Sequence, residues 1–167
     1  MEFEKVIKER FSTRKFSDKK VEKEKLAKIL EAARLAPTAK NLQAFKIYVV
    51  ESREGIEKID KATRCRYNAP TVLVICGDKN GYSHGNHSYV DIDTSIVTTH
   101  LMLAATNEGI DNIWIGLFEP DIIKEEFNLP DNLIPVNLLP IGYKTNDFKP
   151  SPMHTTRKNL EELVEYK

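Results

Sequence analysis

The sequence predicts one domain of mixed helix and strand, with the helices packed in layers against a sheet. Three observations predict it. Helical spacing of apolar residues runs over 21–36, and a second, longer segment over 90–108 is apolar around much of its circumference. Short apolar runs at 71–76 and 113–118 have the length and composition of strands. The chain of 167 residues is a single domain's worth, enough to bury an ordinary core.

The elements follow in order. Residues 2–9 read as a short charged helix with Phe3, Val6 and Ile7 on one side. From Val21 to Ala36, Leu26, Ile29, Leu30 and Ala33 form a stripe, with lysines and glutamates covering the outside. Pro37 ends this helix, because the residue before a proline is pushed out of the helical region, and residues 37–43 become a polar loop. Residues 44–50 alternate as a strand, with Phe45, Ile47 and Val49 on one face. Ser52 caps a helix running to about Arg64. A turn at Asn68-Ala69-Pro70 leads into 71–76, whose unbroken apolar character predicts a central strand covered on both faces.

Residues 78–89 show no periodicity and read as a loop. The long helix from Val90 to Glu108 ends on Gly109 as a left-handed cap. In so small a domain, its second apolar face predicts cover by another subunit. Residues 113–118 predict a strand that meets Gly116 near its end, and 121–127 a helix. In the strand at 133–141, Pro135 and Pro140 each remove a ladder donor, which predicts an edge position or an early end. The proline-rich stretch 144–153 predicts an extended arm, closed by a helical turn at 160–166.

Composition narrows the function classes. Twenty-five basic and 25 acidic side chains cancel, which argues against a nucleic-acid surface, since such surfaces gather an excess of Lys and Arg on one face. No apolar run approaches the ~18 to 20 residues of a membrane span, and the charged N-terminal residues do not resemble a signal peptide. The expectation is a cytoplasmic protein. Cys65 and Cys76 lack the spacing of a metal or redox motif. His84, His87, Asp91, Asp93 and His100 are read as loop and helix-cap residues rather than metal ligands, the two aspartates being explained by the helix dipole.

The chemistry centres on Arg10-Phe11-Ser12-Thr13-Arg14-Lys15-Phe16. In an extended segment alternate side chains point the same way, so Arg10, Ser12 and Arg14 can converge on one anion while Phe11 and Phe16 are buried behind them. Taken alone, the segment reads more readily as a solvated basic turn after a short helix. Other pieces change that reading: Ala36-Pro37-Thr38-Ala39 with Asn41 and Gln43, Trp114-Ile115-Gly116, Pro140-Ile141-Gly142-Tyr143, and Arg157-Lys158 before Leu160-Glu161-Glu162. In this order and spacing they resemble the nitroreductase family of FMN-dependent oxidoreductases over nearly the whole chain.

The resemblance implies an α+β fold with a mixed β-sheet sandwiched by helices, residues 1–167 forming one FMN-binding domain. It implies a homodimer through the long buried helix, with an extended C-terminal arm exchanged onto the partner and FMN at the interface. By that analogy Arg10 contacts the FMN phosphate, Ser12 the phosphate or ribityl chain, and Arg14 the pyrimidine edge, where a cation stabilises the charge added on reduction. Phe11 backs this segment. Pro37, Thr38, Ala39, Asn41 and Gln43 come from the partner or pack beside the ring, the backbone at Ile115 and Gly116 approaches its reactive nitrogen, and Arg157, with Lys158 as second choice, returns to the phosphate. No protein acid or base is required.

The implied activity is ping-pong hydride transfer from NADH or NADPH, through flavin, to a nitroaromatic, quinone or related small acceptor. The competing class is a flavin-binding protein for storage, sensing or flavin fragmentation. Phe118 reads either as core or as a wall of the substrate face, and Trp114 as core. At the turn before residues 71–76, Arg64 and Arg66 offer a basic residue for either the ribityl chain of the cofactor or the nicotinamide reductant.

Overall fold

Most element boundaries in the computed structural model, which describes residues 2–167, lie within two residues of the sequence reading. Helix α1 spans Phe3–Glu9 and α2 Lys23–Arg34, followed by strand β1, Phe45–Val50. Helix α3, Arg53–Ala62, starts on the predicted cap: Ser52 Oγ accepts from the Gly55 N–H at 3.0 Å. Strand β2 is Thr71–Asp78. The predicted loop at 78–89 instead contains a two-rung hairpin, β3 (Ser83–His84) and β4 (His87–Ser88). It was invisible to periodicity because both strands are two exposed polar residues.

Helix α4 spans Val90–Asn107, and Gly109 takes the left-handed conformation, φ 71°, that stops it. Strand β5, Asp111–Asn112, helix α5, Pro120–Glu126, and strand β6, Leu133–Gly142, complete the body. The arm carries single 3-10 turns at Pro152–His154 and Leu160–Glu162, so the expected helical turn at 160–166 is shorter than predicted.

The sheet order is β1-β2-β6-β5 with every strand pair antiparallel, and one isolated parallel bridge joins Ser12 to Asn112 at its edge. β2 is central, and its alternation shows why it has no polar face. Val72, Val74 and Cys76 pack with Ile59 of α3 and Ile123 of α5, while Leu73 and Ile75 pack with Ile29 of α2 and Val97 and Leu101 of α4. Helices therefore cover both faces. Burial pushes the Cys76 thiol up to about 12. Gly77 permits the close seat of α4, since a Cβ there would stand 2.4 Å from Val90 Cγ1.

Two strand expectations are corrected. β6 is ten residues long and lies inside the sheet. Its register against β2 steps from Asn137 to Pro135 opposite Ile75 and Cys76, so a bulge at Val136 absorbs the first proline. Leu138 exchanges bonds with Ile115, and two residues on Pro140 only accepts, from Ile113 N–H at 3.1 Å. Its missing donor thus faces away from β2 and costs no bond to the centre of the sheet. Residues 113–118 are not a regular strand: after β5 only the single bridge Ile115–Leu138 continues the pairing. A buried polar relay ties this segment to α4, Trp114 Nε1 donating to Asn137 Oδ1 at 2.9 Å and Asn137 Nδ2 to Thr98 Oγ1 at 3.1 Å.

Candidate functional site

The Arg10 segment is extended and pinned from both ends. Thr13 N–H donates to Asn112 O at 3.0 Å, Phe16 N–H to Tyr67 O at 3.1 Å, and Ser17 N–H to Tyr143 O at 2.8 Å. Thr13 and Phe16 face inward and are buried. Arg10 and Ser12 are half-buried and Arg14 is exposed, these last two flanking buried Thr13, and the alternation expected of an extended strand breaks at exposed Lys15 and buried Phe16. Phe11 is half-buried rather than fully buried: it stacks on Phe148 with centroids 5.9 Å apart and meets the His154 ring edge-on at 6.0 Å.

Through those contacts the arm reaches the arginines. Arg10, Phe11, Ser12 and Arg14 line a cavity of about 210 Å³ together with Ser151, Met153, His154 and Arg157. Arg157 is held by its own arm, Nη1 donating to Thr156 O at 2.6 Å and Met153 O at 3.3 Å. Burial, and after it the Arg157 charge, holds the Arg10 guanidinium below its usual range. Among the described residues no carboxylate forms an ion pair with Arg10, Arg14 or Arg157. The cavity therefore presents guanidinium charge that no carboxylate of the described residues neutralises. Lys158 does not line it. The arm residues Ser151, Met153 and His154 carried no signal in the sequence beyond a serine before a proline.

The loop after α2 lies elsewhere. Lys40, Asn41 and Gln43 have φ of 51°, 53° and 50°, a left-handed conformation costing roughly 1 to 2 kcal/mol for each non-glycine residue. Local bonds hold it: Gln43 N–H donates to Thr38 Oγ1 at 3.0 Å, and Gln43 Nε2 to Asn41 O at 3.2 Å. The loop is hung from α4 by the Ala39 N–H, which donates to both Asp93 oxygens, at 3.0 and 3.2 Å. Asp93 is 4% exposed. An aspartate in the first turn of a helix already has a sufficient role in the helix dipole, so its bond to the loop leaves no separate signal in the sequence. Asn41 and Gln43 are exposed, with amides available to a ligand.

Ile115 is buried and Gly116 exposed. Nothing in the chain approaches within 4 Å of a Cβ built on Gly116, and its φ is not positive, so the fold itself does not demand glycine there. The backbone is open to a ligand's close approach. Phe118 is 9% exposed in the core cluster with Ile115, and lines a different cleft, of about 420 Å³, with Arg64 and Cys65. Arg66 is committed to Asp60, at 2.6 and 2.7 Å, and to Ala69 O at 2.9 Å. Tyr67 beside it is pushed up by burial and by the Cys65 thiol, against a pull from Arg14.

Comparison with known proteins bears on the family and the fold. The profile described as the nitroreductase family matches residues 7–68 and 66–143. A crystal structure of a nitroreductase family protein from Clostridium difficile 630 is 45% identical and superposes with a TM-score of 0.92, covering 100% of this chain and 99% of that one. A structure described as a nitroreductase in complex with FMN, from Exiguobacterium sibiricum 255-15, is 25% identical, with a TM-score of 0.85 over 100% of this chain and 98% of that one. A relative from Archaeoglobus fulgidus, described as an NADH dehydrogenase/NAD(P)H nitroreductase, is 31% identical over 86% of each chain.

Proposed function

Since the chain belongs to the nitroreductase family, we propose that it is an FMN-dependent oxidoreductase using NADH or NADPH to reduce nitroaromatic, quinone or related acceptors. The observation that carries this reading is the pair Arg10 and Arg157, two guanidiniums facing one cavity with no carboxylate between them. A phosphate monoester with a charge of about −1.5 to −2 at neutral pH fits that pair. When bound, FMN supplies hydride exchange, taken from NAD(P)H in one half of a ping-pong cycle and given to the acceptor in the other.

The protein's own residues bind, orient and tune. Arg10 and Arg157 would hold the phosphate, with Lys158 the second choice to Arg157, and Ser12 would donate to the phosphate or the ribityl chain. Phe11, wedged between Phe148 and His154, sets the height of the arm above Arg10. Arg14 borders the pyrimidine edge and stabilises the negative charge that reduction adds there. The open backbone at Ile115 and Gly116 would face the reactive part of the ring.

One chain does not complete this site. Ala39 hangs from Asp93 near the start of α4, whereas Arg10 and Phe11 line a second cleft with Thr106 and Gly109 near its end. Asp93 and Thr106 are thirteen residues apart in one helix, about 20 Å along its axis. A two-fold dimer that packs α4 antiparallel to its copy would carry Pro37, Thr38, Ala39, Asn41 and Gln43 of one chain toward the arginines of the other. Two features support such cover. On α4, Ile92 is 42% exposed and Ser95, Ile96, Thr99 and His100 line an open apolar hollow. On the arm, Met153, Leu160, Leu163 and Tyr166 are exposed, as a segment exchanged onto a partner would be.

The test is the visible spectrum of the purified protein, then anaerobic mixing with NADH or NADPH in a stopped-flow instrument. A yellow protein bleached by at least one nicotinamide, and recoloured by a quinone or nitroaromatic, is expected. Colour that neither nicotinamide removes would identify a storage, sensing or flavin-fragmenting protein instead. Among the described residues no helix is long and apolar enough to cross a membrane.

A further inference from the structure

We infer that Asp93 is a positioning residue: by holding the Ala39 N–H it sets where loop 37–43 stands, and so how the loop's amides meet the flavin ring of the partner's site. The inference rests on the flavin reading above. Its own basis is the geometry of a strained loop with one buried anchor.

Between the end of α2 and the start of β1, the loop's hydrogen bonds are mostly internal. Thr38 O accepts from Asn41 N–H at 2.9 Å, Ala39 O from Leu42 N–H at 3.1 Å, and Thr38 Oγ1 from Gln43 N–H at 3.0 Å. These bonds shape the loop without locating it. Location comes from the bifurcated bond between Ala39 N–H and the Asp93 carboxylate, which joins positions 54 residues apart. The Lys40 ammonium adds a looser contact over the Tyr82 ring, 4.4 Å from its centroid.

Asp93 can serve as a reference point because it does not move freely. It is 4% exposed, and Thr94 and Val97 next to it on α4 are fully buried. Its backbone N–H is bonded to Tyr89 O at 2.8 Å. A buried carboxylate without a donor is costly, so the aspartate holds the loop as firmly as the loop holds the aspartate. Three residues in the left-handed region would relax toward other conformations if released. Because α4 is also the proposed dimer helix, the tether ties the position of loop 37–43 to the interface rather than to the loop's own sequence.

Four variants test this, each read by amide hydrogen exchange over residues 38–43 and by the visible circular dichroism of bound FMN. Asp93→Ala removes the acceptor. Ala39→Pro removes the donor from the other side and suits the backbone, since Thr38 before it is extended and Ala39 opens a 3-10 turn. Both are expected to raise exchange at least ten-fold and to change the dichroism, while FMN stays bound through its phosphate. Asp93→Asn keeps one carbonyl oxygen for the Ala39 N–H and should recover most of both signals. Asp91→Asn, exposed in the same helical turn, removes the same charge and should change neither.

Exchange in Asp93→Ala and Ala39→Pro equal to wild type would overturn the tether. Raised exchange with unchanged dichroism would overturn the positioning role. Wild-type protein that takes up no FMN would instead sink the flavin reading, and the positioning role with it, whereas the exchange result would still decide the tether.

Discussion

Arg10→Ala is expected to purify with little or no flavin, and to bind added FMN at least ten-fold more weakly than wild type. The size follows from the bond being removed. A hydrogen bond between a guanidinium and a phosphate contributes ~1.5 to 3 kcal/mol, and each ~1.4 kcal/mol is a factor of ten in affinity. Arg10 is half-buried and already faces Arg157 across the cavity, a repulsion that only an anion relieves. Isothermal titration of apoprotein measures the loss, and riboflavin is the control: lacking the phosphate, it should bind both proteins alike. Full flavin retention in Arg10→Ala would remove the phosphate assignment. Arg14→Ala should behave differently. Arg14 is exposed and lines the same cavity, but its proposed partner is the ring edge. Its loss should slow reduction by NAD(P)H and lower the flavin potential more than it weakens FMN binding.

Co-expression of Arg10→Ala with Asn41→Ala is expected to restore fully intact flavin sites, which neither homodimer contains. In the proposed two-fold dimer each site takes Arg10 from one chain and Asn41 from the other. A mixed dimer then has one doubly altered site and one fully intact site. With random pairing half the dimers are mixed, so a quarter of the sites are intact and about a quarter of wild-type turnover should return. If both residues served the same site from one chain, every site in the mixture would carry an altered residue and nothing would return. The all-or-none contrast makes this the sharpest test of the layout along α4, where the loop bonds near one end and Arg10 lies near the other.

Much of the fold was legible because its signals are local. The stripe of α2, the Ser52 cap, the glycine after α4 and the unbroken run of β2 each depend on burial or capping within a few residues, and each is found as read. The misread elements depend on partners distant in the chain. β6 contains two prolines and still lies inside the sheet, since a bulge at Val136 accommodates one and Pro140 turns its missing donor toward Ile113. Residues 113–118 have strand composition, but β6 pairs with them only through Ile115 beyond the two residues of β5.

The site divides in the same way. Residue types and their spacing determined the arginine segment, the proline loop, the open glycine at 116 and the basic tail, because guanidiniums, amides and a bare backbone are what a phosphate and a polar ring require wherever they sit. Which of these groups share a cavity was decided only by the folded chain. Arg10, Arg14 and Arg157 converge although up to 147 positions separate them, because Phe11 provides the seat on which Phe148 and His154 of the arm pack. Loop 37–43 stands apart from them, hung from Asp93, because a buried carboxylate needs a donor and Ala39 supplies it. A distance along α4 is not written in any motif, and it is that distance which the proposed two-fold dimer would close.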